Sequence, residues 1–129
     1  PDMHNTERNM TAASIRYLLA VHALCAQGQG ARCVDVAERL GVTKPSAHAM
    51  IESLCRMGLA QKKRYSSVYL TEEGEQAARL YASCCEPLYA RLQEALGLDE
   101  ECCRSAACAV LAQMSDRLPQ LQQELGCTA

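Results

Sequence analysis

Between Val34 and Thr71 the chain reads VDVAERLGVTKPSAHAMIESLCRMGLAQKKRYSSVYLT, and the order of its local signals leaves few folds open. A short amphipathic helix ends at Gly41, where glycine lets the chain turn. Thr43-Lys44-Pro45 opens a second helix: Thr is a good N-cap, and Pro loses no helical hydrogen bond in a first turn. That helix stops at Gly58. Two short strand-like runs follow, Leu59 to Lys63 and Val68 to Leu70, around a polar tip at Arg64 to Ser67. Helix, tight turn, helix and basic hairpin in that order predict a winged helix-turn-helix, a fold used mostly to hold DNA.

The flanking sequence predicts helices. One is expected from about Thr11 to Ala26, with Ile15, Leu18, Leu19, His22 and Cys25 along one face. Within the core segment, Cys33 to Leu40 turns Val36, Ala37 and Leu40 inward. The next helix buries Ala47, Met50, Ile51 and Leu54 and presents Ser46, His48, Ala49, Glu52, Ser53 and Arg56. Thr71-Glu72-Glu73 starts a long helix to about Leu96, with a hydroxyl cap and acids where the dipole favours them. Pro87 lies inside it and is expected to kink it by freeing the carbonyl of Ser83. Gly97-Leu98-Asp99 interrupts the pattern, a helix from about Glu100 to Met114 follows, and Pro119 breaks the last segment. The expected class is mainly α: a winged helix-turn-helix DNA-binding domain over 1–74 and a helical dimerisation and effector domain over 75–129.

Charge divides along the same line. Residues 1–68 carry nine basic and five acidic side chains, net +4, whereas 69–129 carry four Arg against ten acids, net −6. A basic front and acidic back suit a nucleic-acid face joined to a part that avoids phosphate. Leu88, Leu92, Leu96, Val110, Leu111 and Leu118 offer more apolar surface than one or two helices bury in a single chain. A homodimer is therefore expected, with recognition helices about one DNA turn (~34 Å) apart on a palindromic operator in double-stranded DNA. No apolar run reaches the ~18 residues that span a bilayer, so no membrane partner is expected. Pro1 to Met10 lacks the apolar centre of a signal peptide, and a cytoplasmic protein is expected. With no phosphate loop, no zinc-protease motif and no Cys-x-x-Cys, the sequence reads as a non-enzyme without catalytic residues.

These residues resemble the diphtheria-toxin-repressor family of iron- and manganese-dependent repressors, in its two-domain form without the third domain some members carry. The resemblance covers roughly Ser14 to Leu118. It rests on Tyr17-Leu18, Val36-Ala37-Glu38-Arg39-Leu40, Thr43-Lys44-Pro45-Ser46, Met57-Gly58-Leu59, Leu70-Thr71-Glu72-Glu73-Gly74, Leu96-Gly97-Leu98-Asp99, and Ala107-Cys108 followed by Met114-Ser115-Asp116. It implies a sequence-specific transcriptional regulator, a repressor. Thr43, Lys44, Pro45, Ser46, His48 and Ala49 would then enter the major groove, and Lys62, Lys63 and Arg64 would meet phosphate from the wing. The positions matching the family's metal ligands hold Arg16, Cys85, Tyr89, Arg104, Cys108, Leu111 and Ala112. Of these, only the two cysteines bind a transition metal, and a guanidinium repels one. Mn(II) is therefore not expected, and Arg16 or Arg104 is expected to pair with Glu101 or Glu86 where the cation would stand.

Nine cysteines are many for 129 residues, and an odd number in a helix-rich chain argues against a disulfide scaffold. Cys25 and Cys55 read as small core residues. For Cys85 and Cys108, helped by Cys84, Cys102 or Cys103, three readings stand. They form a thiolate site for a thiophilic metal (zinc, Cu(I), or iron including an iron–sulfur cluster). Or they sense redox state, since Cys102 and Cys103 lie in a first helical turn where thiol pKa values fall. Or they pack a core without Phe or Trp. A regulator blind to any effector and a winged helix used for protein contact remain alternatives.

Overall fold

The structure, a computed structural model, describes residues 10–64 and 67–126. Along them run α1 (Ala12–Cys25), α2 (Cys33–Leu40), α3 (Lys44–Arg56), β1 (Ala60–Lys62), β2 (Val68–Leu70), α4 (Glu72–Leu96), α5 (Glu100–Gln113), a 3-10 turn (Ser115–Arg117) and α6 (Leu118–Glu124). The fold is mainly α, a winged helix followed by helices. Its described residues divide into two units, one within residues 17–78 and one formed by residues 10–16 and 79–126.

In the 17–78 unit each element ends for a local reason. Gly41 closes α2 at φ 68°, with its N–H directed to the carbonyls of Ala37 and Glu38. Its positive φ is one that a side chain resists. Thr43 caps α3 by accepting the Ser46 N–H at 3.2 Å, with Pro45 in the first turn. Val36 of α2 and Ala47, Ile51 and Leu54 of α3 are buried. The wing pairs Ala60 with Leu70, Gln61 with Tyr69 and Lys62 with Val68, antiparallel. Ala31 adds a rung by exchanging hydrogen bonds of 2.8 and 2.7 Å with Val68. β1 is shorter than the expected Leu59–Lys63, because the Leu59 N–H is used to close α3 on the Leu54 carbonyl at 3.0 Å. At the wing tip, Tyr65 and Ser66 lie outside the described residues.

The first helix departs from its expected single face. Ile15, Tyr17, Leu18, Ala20 and Val21 are buried, while Leu19, His22 and Cys25 are only half-buried. The buried stripe runs instead through Ser14, Tyr17, Leu18 and Val21 at i, i+3, i+4 and i+7, with Ile15 and Ala20 beside it. α4 begins on Thr71, which accepts the Gly74 N–H at 3.0 Å and donates to the Gly58 carbonyl at 2.7 Å. It continues through Pro87 to Leu96.

In the second unit, α4 turns Tyr81, Cys84, Cys85 and Leu88 inward, and α5 turns Cys103, Ala107, Cys108 and Leu111 inward. Cys and Ala recur at i, i+3 and i+4 on these stripes, so small side chains fill this core in place of Phe and Trp. The Tyr81 hydroxyl donates to Ser115 at 2.9 Å, and Gln122 donates to Ser83 at 2.7 Å. Pro119 does not break the last segment: it sits in the first turn of α6, where its missing N–H costs nothing. That helix buries Leu118 and Leu121. Leu88, Leu111 and Leu118 are thus buried within one chain, contrary to the expectation that a partner must cover them. Leu96 stays 63% exposed, and Leu92 and Val110 are half-buried. Among the described residues no helix is long and apolar enough to cross a membrane.

Candidate nucleic-acid interface and thiol pair

The exposed side of α3 starts from its cap. Thr43 spends its hydroxyl on structure, accepting the Ser46 N–H and donating to the Ser46 hydroxyl oxygen at 2.9 Å. Because Ser46 Oγ accepts that bond, its own proton is directed elsewhere. Lys44, Pro45, Ser46, His48 and Ala49 are exposed together, while Ala47 and Ile51 face the core. The first turn therefore offers a cation and small side chains, which is what close approach to a groove requires.

The wing supplies more positive charge. Lys62, Lys63 and Arg64 are exposed. Lys62 stands 3.3 Å from the Glu52 carboxylate, and the Lys63 ammonium lies 5.0 Å from the Tyr69 ring centre. Between wing and helices is a cleft of 320 Å³ whose lining includes Arg32, Cys33, Lys44, His48, Ile51 and Lys62. Three of these are permanent cations brought from separate stretches of sequence. Sequence reasoning missed Arg32. The available signal was its place directly before α2, since a helix N-terminus with an adjacent cation attracts phosphate. The Cys33 thiol donates to the Lys44 carbonyl at 3.6 Å and joins the starts of α2 and α3.

The cysteines of the other unit separate into three environments. Cys84 and Cys103 are buried, and their thiols donate to the carbonyls of Leu118 at 3.8 Å and Tyr89 at 3.3 Å. Cys102 is exposed beside Asp99, the N-cap of α5. The Asp99 carboxylate, by its charge and by accepting from the thiol, pushes Cys102 up, reversing the lowering expected of a first-turn cysteine. Cys85 and Cys108 are both buried, one on α4 and the other on α5. The two thiols act on each other, which holds Cys85 up and Cys108 down, and Arg16 and Arg104 add to the lowering of Cys108.

Those two arginines are themselves held. Arg16 lies 2.6 Å from the Glu101 carboxylate, and Arg104 lies 3.5 Å from Glu86 with its guanidinium 4.5 Å from the Tyr89 ring centre. The pairs are those expected from the sequence. Both carboxylates are mostly exposed, so the pairs orient side chains more than they stabilise the fold.

A hairpin wing behind a capped, exposed second helix defines a winged helix-turn-helix fold. Residues 10–68 match the family model described as "Iron dependent repressor, N-terminal DNA binding domain". The Transcriptional regulator MntR of Escherichia coli O6:H1 is 45% identical over 49 residues, 38% of this chain and 32% of that protein. The MntR of Salmonella typhimurium is 43% identical over 49 residues, 31% of its length. The matched segment thus spans about a third of these relatives. Two solved structures share the fold at 19% identity. The hypothetical protein SSo2273 from Sulfolobus solfataricus has a TM-score of 0.61 over 91% of this chain and 90% of that one. IdeR of T. acidophilum has 0.62 over 87% and 53%. Residues 10–68 are thus similar to the DNA-binding domain of iron-dependent repressors, and the fold is shared with IdeR.

The iron in that family description meets poor ligands here. Of the positions matched to metal ligands, Arg16 and Arg104 are cationic and already paired, Leu111 is fully buried and apolar, and Ala112 has no donor. Among the described residues no group of three or more His, Cys, Asp or Glu is placed to hold a metal ion. Fe(II) and Mn(II), which take several oxygen and nitrogen donors, do not fit these residues.

Proposed function

We propose that this protein is a sequence-specific DNA-binding transcriptional regulator, a repressor, that acts as a homodimer on a palindromic operator. One observation carries the reading: Lys44 from the exposed first turn of α3, Lys62 from the wing and Arg32 line a single cleft inside the segment matched by a DNA-binding family model. Lys44, Ser46, His48 and Ala49 meet the major groove, with Thr43 and Pro45 fixing the helix start. Arg32, Lys62, Lys63 and Arg64 hold phosphate and set register without reading sequence. Cys85 and Cys108 are the centre of a thiol-based effector site in the second unit, and Cys84, Cys102 and Cys103 have packing or surface roles around it.

Selection from a random duplex pool tests this. Enrichment of an inverted repeat, with half-sites one helical turn apart, is expected. A pool that stays random after repeated rounds, with no retained duplex at low salt, overturns the reading in favour of a protein-contact module.

A further inference from the structure

The wing is a two-stranded ribbon, and side chains alternate across it. Ala60, Val68 and Leu70 are buried on its inner face, and Lys62, opposite Val68, lines the cleft beside Lys44. The outer face carries the residues one step away. Gln61 pairs with Tyr69, and the Lys63 N–H continues the ladder to the Ser67 carbonyl at 2.7 Å, which sets Lys63 diagonal to Tyr69 on that face. Consecutive lysines therefore serve opposite sides of one hairpin. Lys62 spends part of its charge on the Glu52 carboxylate at 3.3 Å. The Lys63 ammonium instead rests 5.0 Å from the Tyr69 ring centre, a contact that leaves its charge whole.

The ring is itself held from the loop before α2. Gly30 lies so close that a Cβ there would meet Tyr69 Cε2 at 2.7 Å and the Ser67 Cβ at 2.9 Å. Ala31 ties the same loop to Val68 through its two backbone hydrogen bonds. Between the Gly28-Gln29-Gly30 turn and the wing is an open hollow of 450 Å³, lined as well by Arg32, Ser67 and Tyr69. A guanidinium, two hydroxyls and loop backbone make that lining suited to an anion. Arg32 is exposed and lines both this hollow and the cleft on the inner side.

We propose that the outer hollow is a second seat for a DNA backbone phosphate, separate from the one Lys62 reaches in the α3 cleft, with Arg32 and Lys63 as its cations and Tyr69 as the residue that positions Lys63. A phosphodiester accepts through two free oxygens, which suits a guanidinium that donates in pairs and a compact ammonium beside it. A lysine loses rotamer freedom when it grips a phosphate, and the Tyr69 ring removes part of that freedom before DNA arrives. The inference rests on the DNA-binding reading and adds where along the backbone the wing takes hold.

Phosphate-ethylation interference on a selected duplex, measured beside the salt slope, tests it. Lys62→Gln and Lys63→Gln should each lower the slope of log affinity against log salt by ~0.9, about fivefold in affinity at ~150 mM salt, and should relieve interference at different phosphates. Tyr69→Leu should reproduce most of the Lys63→Gln loss at the same phosphate, and Lys63→Gln added to it should then cost little more. Tyr69→Phe keeps the ring and should bind as the wild type does. A part played only in folding would lower stability without selecting one phosphate. Without DNA, the ring current should move the Lys63 side-chain protons upfield in NMR spectra of the wild type and Tyr69→Phe, and not of Tyr69→Leu. That measurement keeps the proposal falsifiable if Tyr69→Leu fails to fold: Lys63 protons at their ordinary positions in the wild type overturn it. So do relief of one shared phosphate by both lysine variants, and Tyr69→Leu and Lys63→Gln losses that simply add. A wild-type chain that holds no duplex at low salt overturns the DNA-binding reading itself, and the seat with it.

Discussion

Gly74 has no room for a methyl group. A Cβ built there overlaps the carbonyl oxygen of Leu59, whose position is fixed because it accepts the Thr71 N–H at 3.0 Å. The start of α4 and the base of the wing are set by that close approach. Gly74→Ala must push the strand or the helix away and should cost ~1–3 kcal/mol, as overpacking does. Urea denaturation measures it, and unchanged stability contradicts the placement. A second residue-scale test concerns Cys102. Asp99 raises its thiol by charge and hydrogen bonding, so the thiolate forms only above the ordinary thiol range. Asp99→Asn keeps a good helix cap and removes the charge. The pH midpoint of Cys102 alkylation, followed by peptide mass spectrometry, should move down; an upward shift or none is the wrong sign for this geometry.

Among elements, α3 and the wing show what was legible in sequence and what was not. Thr43, Pro45, Gly41 and Gly58 are local signals, since caps and turns depend on neighbours a few residues away, and α2 and α3 match the expected bounds. α6 and the burial of Leu118 were not legible, because Pro119 reads as a breaker unless the helix start is known to lie one residue before it. Arg32 was missed because its cleft partners, Lys44 and Lys62, are distant in sequence. The effect of Cys85 and Cys108 on each other likewise depends on how α4 and α5 pack, which helical periodicity alone does not give. Thr43→Ala removes the cap and should cost about 1 kcal/mol. In DNA binding, Ser46 or Ala49 substitutions should change the preferred sequence, whereas Arg32→Gln should weaken all duplexes alike. Competition between selected and scrambled duplexes separates those outcomes.

At the scale of the whole molecule, the net +4 of residues 1–68 and net −6 of residues 69–129 place phosphate-binding charge in one part of the sequence. The acidic remainder leaves Leu96 exposed, with Leu92 and Val110 half-buried, as the apolar surface available to a second copy. Light scattering at micromolar concentration should report a dimer; monomer alone, with and without duplex, contradicts that proposal. The central claim, that α3 and the wing bind DNA, is tested most directly by the salt dependence of binding to a selected duplex. Neutralising Lys62, Lys63 and Arg64 together should flatten the slope of log affinity against log salt by about 3, at ~0.9 per phosphate contact, with sequence preference kept. A triple variant whose slope and affinity equal those of the wild type at ~150 mM salt would contradict it.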